Sequence, residues 1–174
     1  STVAAFTTFI PAGSGRFGDH TVASRCIHCS QDQTQILEII TVWVALESMA
    51  ARLACKAASD TEIARLHEFI GSFGAARVKD NMTEYSEANI RFHASIIKLS
   101  HCELIAQMTD SLFMHVRAIR HRAMFEDDRC QRSIEDHRRI VTALEARDPG
   151  EADRLVREHT MALHEHVERN VDLA

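Results

Sequence analysis

Glycine and proline are scarce in this chain, with 6 Gly and 2 Pro among 174 residues. A sheet-rich fold needs a turn every few residues, so this scarcity argues for long helices instead. Apolar residues are plentiful at 45% but never run uninterrupted for 18 positions, and no membrane-spanning helix is expected. The opening STVAAFTTFI lacks the basic segment of a secretory signal. Excess positive charge is missing too: the net charge of −5 argues against nucleic-acid binding by these residues unaided. The five cysteines, at 26, 29, 55, 102 and 130, are odd in number and scattered, which fits a reducing cytoplasm better than a disulfide framework.

One domain is expected at this length, able to bury about 70% of its unfolded surface. Residues 1–31 differ from the rest. PAGSGRFGDH is loop-like, no helical period runs through it, and a flexible arm is expected. Cys26-Ile27-His28-Cys29 resembles half of a zinc site, but no second pair follows at suitable spacing, and the thiols read as incidental. From Gln33 to Ala58 the apolar residues Ile36, Ile40, Trp43, Ala50, Leu53 and Ala54 recur at helical spacing. A second helix is expected to open at Asp60 as N-cap, with Ile63, Leu66 and Ile70 inside, and to break at Gly71-Ser72-Phe73-Gly74. A third spans about Met82–Leu99, and a fourth about Glu103–Phe125 with Glu126-Asp127-Asp128 marking its end. The last two form a hairpin around Asp148-Pro149-Gly150, where Pro disfavours helix in the residue before it. The sum is an all-α antiparallel bundle of about six helices, over residues 32–174.

The hairpin carries the most informative pair. His137 and His159 each lie eleven residues from Asp148, on opposite sides of it. In an antiparallel hairpin equal offsets place two residues level, here roughly 16 Å from the turn at about 1.5 Å per residue. Both sit on apolar faces, His137 with Ile134, Val141 and Leu144, His159 with Leu155, Val156 and Leu163. The third helix offers Asn89 and His93 one turn apart on a face that carries Ile90, Ile96 and Ile97. A lone histidine on such a face is usually a satisfied core residue. Three of them on facing helices suggest a metal site in the bundle core, with Asn89 adding an amide oxygen. Imidazole-rich donors suit Zn²⁺, Ni²⁺, Cu²⁺ or Fe²⁺. His166, seven residues past His159, is a reserve candidate. His20 and His28 fall in the arm, while His67, His101, His115, His121 and His164 read as solvated or mixed.

An ordered set of short motifs carries a resemblance. It comprises Ala45-Leu46-Glu47 with Ala51-Arg52-Leu53-Ala54, then Asn89-Ile90-Arg91-Phe92-His93. Asp136-His137-Arg138-Arg139-Ile140 with Ala143-Leu144 follows, and Ala152 with Arg157-Glu158-His159 completes the set. Over about residues 33–170 the chain resembles the FCD effector-binding domain of GntR-type bacterial transcription regulators, the FadR-like subfamily. The resemblance implies an antiparallel helical bundle, a divalent metal held by an Asp and three His, and a small anionic metabolite, often a carboxylate or sugar acid, beside it. It also implies a homodimer whose hold on DNA changes with the ligand. By position the Asp falls on Asn89 and the three His on His93, His137 and His159.

Three departures matter. Asn89 removes one negative charge, so metal should be held less tightly and an anion more firmly. Trp43 stands where the family usually has Arg, as a flat surface for ligand or as a core residue. Residues 1–31 are too short and glycine-rich for the winged helix-turn-helix; at most they resemble a wing remnant and linker, and DNA contact is expected only through a domain not contained in this sequence. Arg117, one turn from His121, is a candidate partner for a ligand carboxylate or else a solvated arginine.

The reading that follows is a non-enzymatic, cytoplasmic ligand sensor, with zinc the first expectation for the metal and nickel the second. Two others stand beside it. Three histidines on a metal could activate water in a hydrolase, although there is no H-E-x-x-H, and Glu135 and Asp136 are expected on faces turned away from His137. A structural dimerisation bundle would need no ligand.

Overall fold

A computed structural model describes residues 33–71, 82–123 and 129–170. The long first helix, α1 (Gln33–Ala57), contains neither glycine nor proline and buries Ile36, Ile40, Trp43, Val44, Glu47, Ala50, Ala51 and Ala54 along one face. Leu53, expected on that face, is only partly buried at its edge. Ser59 stops the chain and restarts it. Its side chain accepts from the Glu62 backbone N–H while the Glu62 carboxylate accepts from the Ser59 N–H, a reciprocal capping box. Asp60, expected as the cap, is therefore the first helical residue. Serine wins because Glu sits three positions after it, where it can close the box.

The second helix is interrupted. α2 (Asp60–Ala64) and α3 (Leu66–Gly71) follow each other across Arg65, which keeps right-handed helical angles. Counted as one broken helix, they join α4 (Met82–Leu99), α5 (Glu103–Ala123), α6 (Arg129–Glu145) and α7 (Pro149–Asn170) in a bundle of six helices among the described residues. No strand occurs among the described residues. The 1–31 arm with its Cys26/Cys29 pair, Ser72 to Gly74, and Glu126 to Asp128 lie outside them. No disulfide joins the described cysteines, and no described helix is long and apolar enough to cross a membrane.

The chain reverses between α6 and α7 slightly earlier than expected, at Ala146 and Arg147. Arg147 takes the left-handed conformation (φ 56°), and the Asp148 and Arg147 amides return to the Ala143 and Leu144 carbonyls. This is the Schellman pattern, here without its usual glycine. Arg147 is held by its own side chain, which donates to the Cys55 and Ala58 carbonyls and pairs with Asp60. Those bonds satisfy carbonyls left open at the end of α1. Asp148 then caps α7, accepting from the Gly150 and Glu151 amides at 3.0 Å each, with Pro149 in the first turn.

α1 packs most extensively on α7, and also meets α4 and α5. The pair is antiparallel: Gln33 near the start of α1 reaches the Val167 carbonyl, and Arg52 near its end lies by Asp153. The core has two apolar parts. A large one is built around Trp43, Phe92, Ile96, Ile140, Leu144 and Val156, and a small one around Ile36, Ile40, Val44, Ile119, Leu163 and Val167. Along α7 the two parts are separated by the buried polar residues His159 and Thr160, and on α1 the buried Glu47 and Ser48 follow Trp43 and Val44, where the two parts meet. A polar layer crosses the middle of the bundle.

Candidate metal and ligand site

Burying polar side chains is costly unless each finds a partner, so the bonds inside this layer decide what it can do. His93 from α4, His137 from α6 and His159 from α7 meet there, all buried, with one ring nitrogen of each lying within 4.8 Å of the others. Equal offsets from the turn do bring the hairpin pair together. His137 Nε2 and His159 Nε2 are 3.3 Å apart. The ring centroids of His93 lie 5.1 and 5.2 Å from those of His137 and His159, and Phe92 stacks on His137 at 4.0 Å.

Carboxylates orient two of the three rings. His93 Nδ1 bonds to Glu47 Oε1, and Arg120 Nη1 lies 2.6 Å from His93 Nε2. A guanidinium can only donate, so His93 Nε2 carries a lone pair and the ring proton sits on Nδ1, donated to Glu47. His159 Nδ1 donates to Asp136 Oδ2 at 3.1 Å, which likewise leaves its Nε2 as a lone pair facing His137. Two facing lone pairs at 3.3 Å would repel, so His137 donates from Nε2. Glu47 is completely buried, and its Oε2 also accepts from Trp43 Nε1 at 2.7 Å and Thr160 Oγ1 at 3.1 Å.

The charges follow from burial. It holds the His93 and His137 imidazoles well below their ordinary value, and the Arg120 charge and the neighbouring histidines press the same way. Burial also lowers His159, against the raising effect of its bond to Asp136. That same bond holds the Asp136 carboxyl below its usual range. Desolvation pushes Glu47 up, opposed by the Arg120 charge and by the hydrogen bonds it accepts. Burial thus favours three neutral imidazoles, beside a Glu47 carboxyl that faces the Arg120 guanidinium.

This donor set fits a divalent transition metal. Two imidazole nitrogens on one tetrahedral ion with bonds of 2.0–2.1 Å would lie about 3.3 Å apart, the spacing of the His137 and His159 pair. Carboxylate-bonded ligand histidines are the usual support of such ions. Asn89 is 2% exposed; its Oδ1 accepts a long 3.4 Å bond from Ser133, and its Nδ2 has no hydrogen-bond partner. Exchanging the amide oxygen and nitrogen keeps Ser133 bonded and turns the orphan into an acceptor oxygen.

The two residues expected to meet an effector part company. Trp43 is buried and belongs to the layer through its bond to Glu47. Arg117 is not brought there: its side chain is 44% exposed and pairs with Glu87 at 2.5 Å. The inward arginine is Arg120, three residues on. Sequence reasoning missed it, together with Glu47, Thr160 and the turn of Asp136 toward His159. Its signal was position, since Arg120 follows buried Val116 by four residues on α5. His166 is buried farther along α7 and is not one of the three clustered histidines. Two shallow surface grooves, one around Arg138, Thr142 and Glu151 and one around Leu37, Thr41 and His164, include no member of the cluster.

The fold is shared with known regulators. The structure is similar to Escherichia coli McbR/YncC, with a TM-score of 0.70 and 21% identity, over 80% of this chain and 71% of that one. It is similar to Streptococcus agalactiae GntR, with a TM-score of 0.61 and 17% identity, over 78% of this chain and 60% of that one. The chain thus spans less than two thirds of the second relative. No curated protein matches it. The model of the FCD domain family matches residues 38–162, well over half of the sequence. The chain belongs to the FCD domain family, a regulatory rather than enzymatic domain of GntR-type transcription regulators.

Proposed function

We propose that this domain is the cytoplasmic ligand sensor of a dimeric regulator, binding a divalent transition metal and a small anionic metabolite in its polar layer. His93, His137 and His159 hold the ion, zinc in the first instance and nickel in the second, and Asn89 reaches it through its amide oxygen. One observation carries the reading: three buried neutral imidazoles from three helices converge, two of them oriented by carboxylates. Such an ion supplies concentrated positive charge in a water-poor interior.

The charge balance points to the ligand class. Glu47 and Arg120 offset each other, the imidazoles are neutral, and Asn89 brings no charge where the family has a carboxylate. Asp136, on the outer nitrogen of His159, offsets one of the ion's two positive charges, and the other draws an anion such as a carboxylate or sugar acid. Arg120 takes the carboxylate-pairing part that Arg117 was expected to play, and Trp43 contributes a wall and positions Glu47. DNA contact belongs to a helix-turn-helix domain acting through a homodimer, since a net charge of −5 argues against nucleic-acid binding by these residues unaided. Ligand moves that domain only if it binds two helical arrangements unequally. The nearby carboxylates Glu47 and Asp136 are engaged by imidazoles, which leaves a hydrolase without a placed general base.

Metal content after dialysis against zinc at controlled free concentration tests the reading. About one ion per chain is expected for the native sequence and almost none for His137→Ala/His159→Ala. Equal content in the two would refute it.

A further inference from the structure

The nitrogen that His93 has available for a metal is already engaged. Nδ1 is committed to Glu47, and Nε2 accepts from Arg120 Nη1 at 2.6 Å. A guanidinium and a metal ion need the same lone pair and both are positive, so they exclude each other there. The spread of the three nitrogens agrees: the His137 and His159 pair stands at 3.3 Å, while the set with His93 extends to 4.8 Å. Two further contacts of Arg120 in the layer are longer. Its Nη2 lies 3.4 Å from both Glu47 Oε2 and Thr160 Oγ1, longer than the roughly 2.7–2.9 Å of a good charge-assisted bond. A free carboxylate can offer the guanidinium the bidentate geometry that the fully committed Glu47 does not.

We propose that Arg120 is a resident cation that competes with the metal for His93, and that a small carboxylate drawing the guanidinium away opens the site, so that anion and metal bind with positive coupling. The inference rests on the sensor reading above and deepens it. Each ligand removes an obstacle to the other: the anion takes the competing donor from His93, and the metal takes the lone pair to which that donor was bound, which frees the donor for the anion. Linkage makes the effect reciprocal, so metal raises the affinity for anion by the same factor.

The test is the zinc affinity of the 174-residue chain, by competition with a chromophoric chelator, with and without succinate at constant ionic strength and corrected for zinc–succinate complexes. Succinate is expected to raise the native affinity at least tenfold. Arg120→Met is expected to bind zinc at least tenfold tighter than the native chain without succinate, and to gain less than threefold from it. Should that variant fail to fold because Glu47 loses its counter-charge, Glu47→Gln/Arg120→Met removes both charges and carries the same comparison. Zinc binding that is indifferent to succinate, or no tighter in the arginine variants, overturns the competition and leaves the metal site standing. Absence of zinc binding in every form, with or without succinate, overturns the metal site itself and the inference with it.

Discussion

Glu47 holds the polar layer together, because one fully buried carboxylate accepts from an imidazole, an indole and a hydroxyl while facing a guanidinium. Glu47→Gln keeps the shape but leaves Arg120 as a buried charge without its counter-ion. Its amide nitrogen also has to face a donor. A loss of roughly 3–5 kcal/mol is expected, the range for breaking one side of a buried pair, read as a lower urea midpoint. Adding Arg120→Met should recover a substantial part of that loss. A Glu47→Gln variant as stable as the native chain would mean that the carboxylate is not the hub. At this scale the sequence was half legible. The histidines stood out because an imidazole on an apolar stripe asks for a partner. Glu47 and Arg120 occupy the same kind of stripe, four residues after Trp43 and Val116. A long charged side chain is so often solvated that its place in the period was the only clue. Arg117 and Arg120 are separated by one helical turn, and that rotation decides which of them faces inward.

The hairpin of α6 and α7 shows why elements were easier to read than their ends. Its two histidines meet because the helices are regular, and a count from the turn sufficed. The turn itself depended on contacts no local pattern reveals, since Arg147 adopts a positive φ while bonded to the end of α1. Gly150, part of the expected turn, lies inside α7 without a positive φ, and a Cβ there would meet only Asp148 Oδ1 at 3.5 Å. Gly150→Ala should therefore stabilise the protein by about 0.4–1 kcal/mol, mainly by restricting the unfolded chain. Thermal and urea midpoints would both rise; a fall would mean that the first turn of α7 needs glycine after all.

Across the whole molecule, the core is two apolar clusters with ionisable groups between them, and stability should report on that layer. The metal-free chain keeps His93, His137 and His159 below their ordinary value. A pH unit or more above 6.5 each is neutral in both the folded and unfolded states. As pH falls below 6.5 the unfolded chain takes up protons that the folded one refuses, and stability drops by up to about 1.4 kcal/mol per pH unit for each histidine. Glu47, whose carboxyl is raised, works against this trend above its ordinary carboxylate value, one group against three. The urea midpoint should stay nearly level from pH 8 to 7 and decline between 6.5 and 5.5. A midpoint unchanged over that lower interval would contradict the burial of neutral imidazoles. Fold class was legible because long apolar periods with few breakers leave little besides a helical bundle. The division of the core was not, since it depends on which faces oppose one another.

The measurement that bears most directly on the central claim is an anomalous difference map at the zinc edge, from crystals of the chain grown with zinc. The expected result is one strong peak within the bundle, about 2.0–2.1 Å from a nitrogen of His93, His137 and His159. A map with no peak among these rings, each imidazole instead bonded to a protein acceptor, would contradict it.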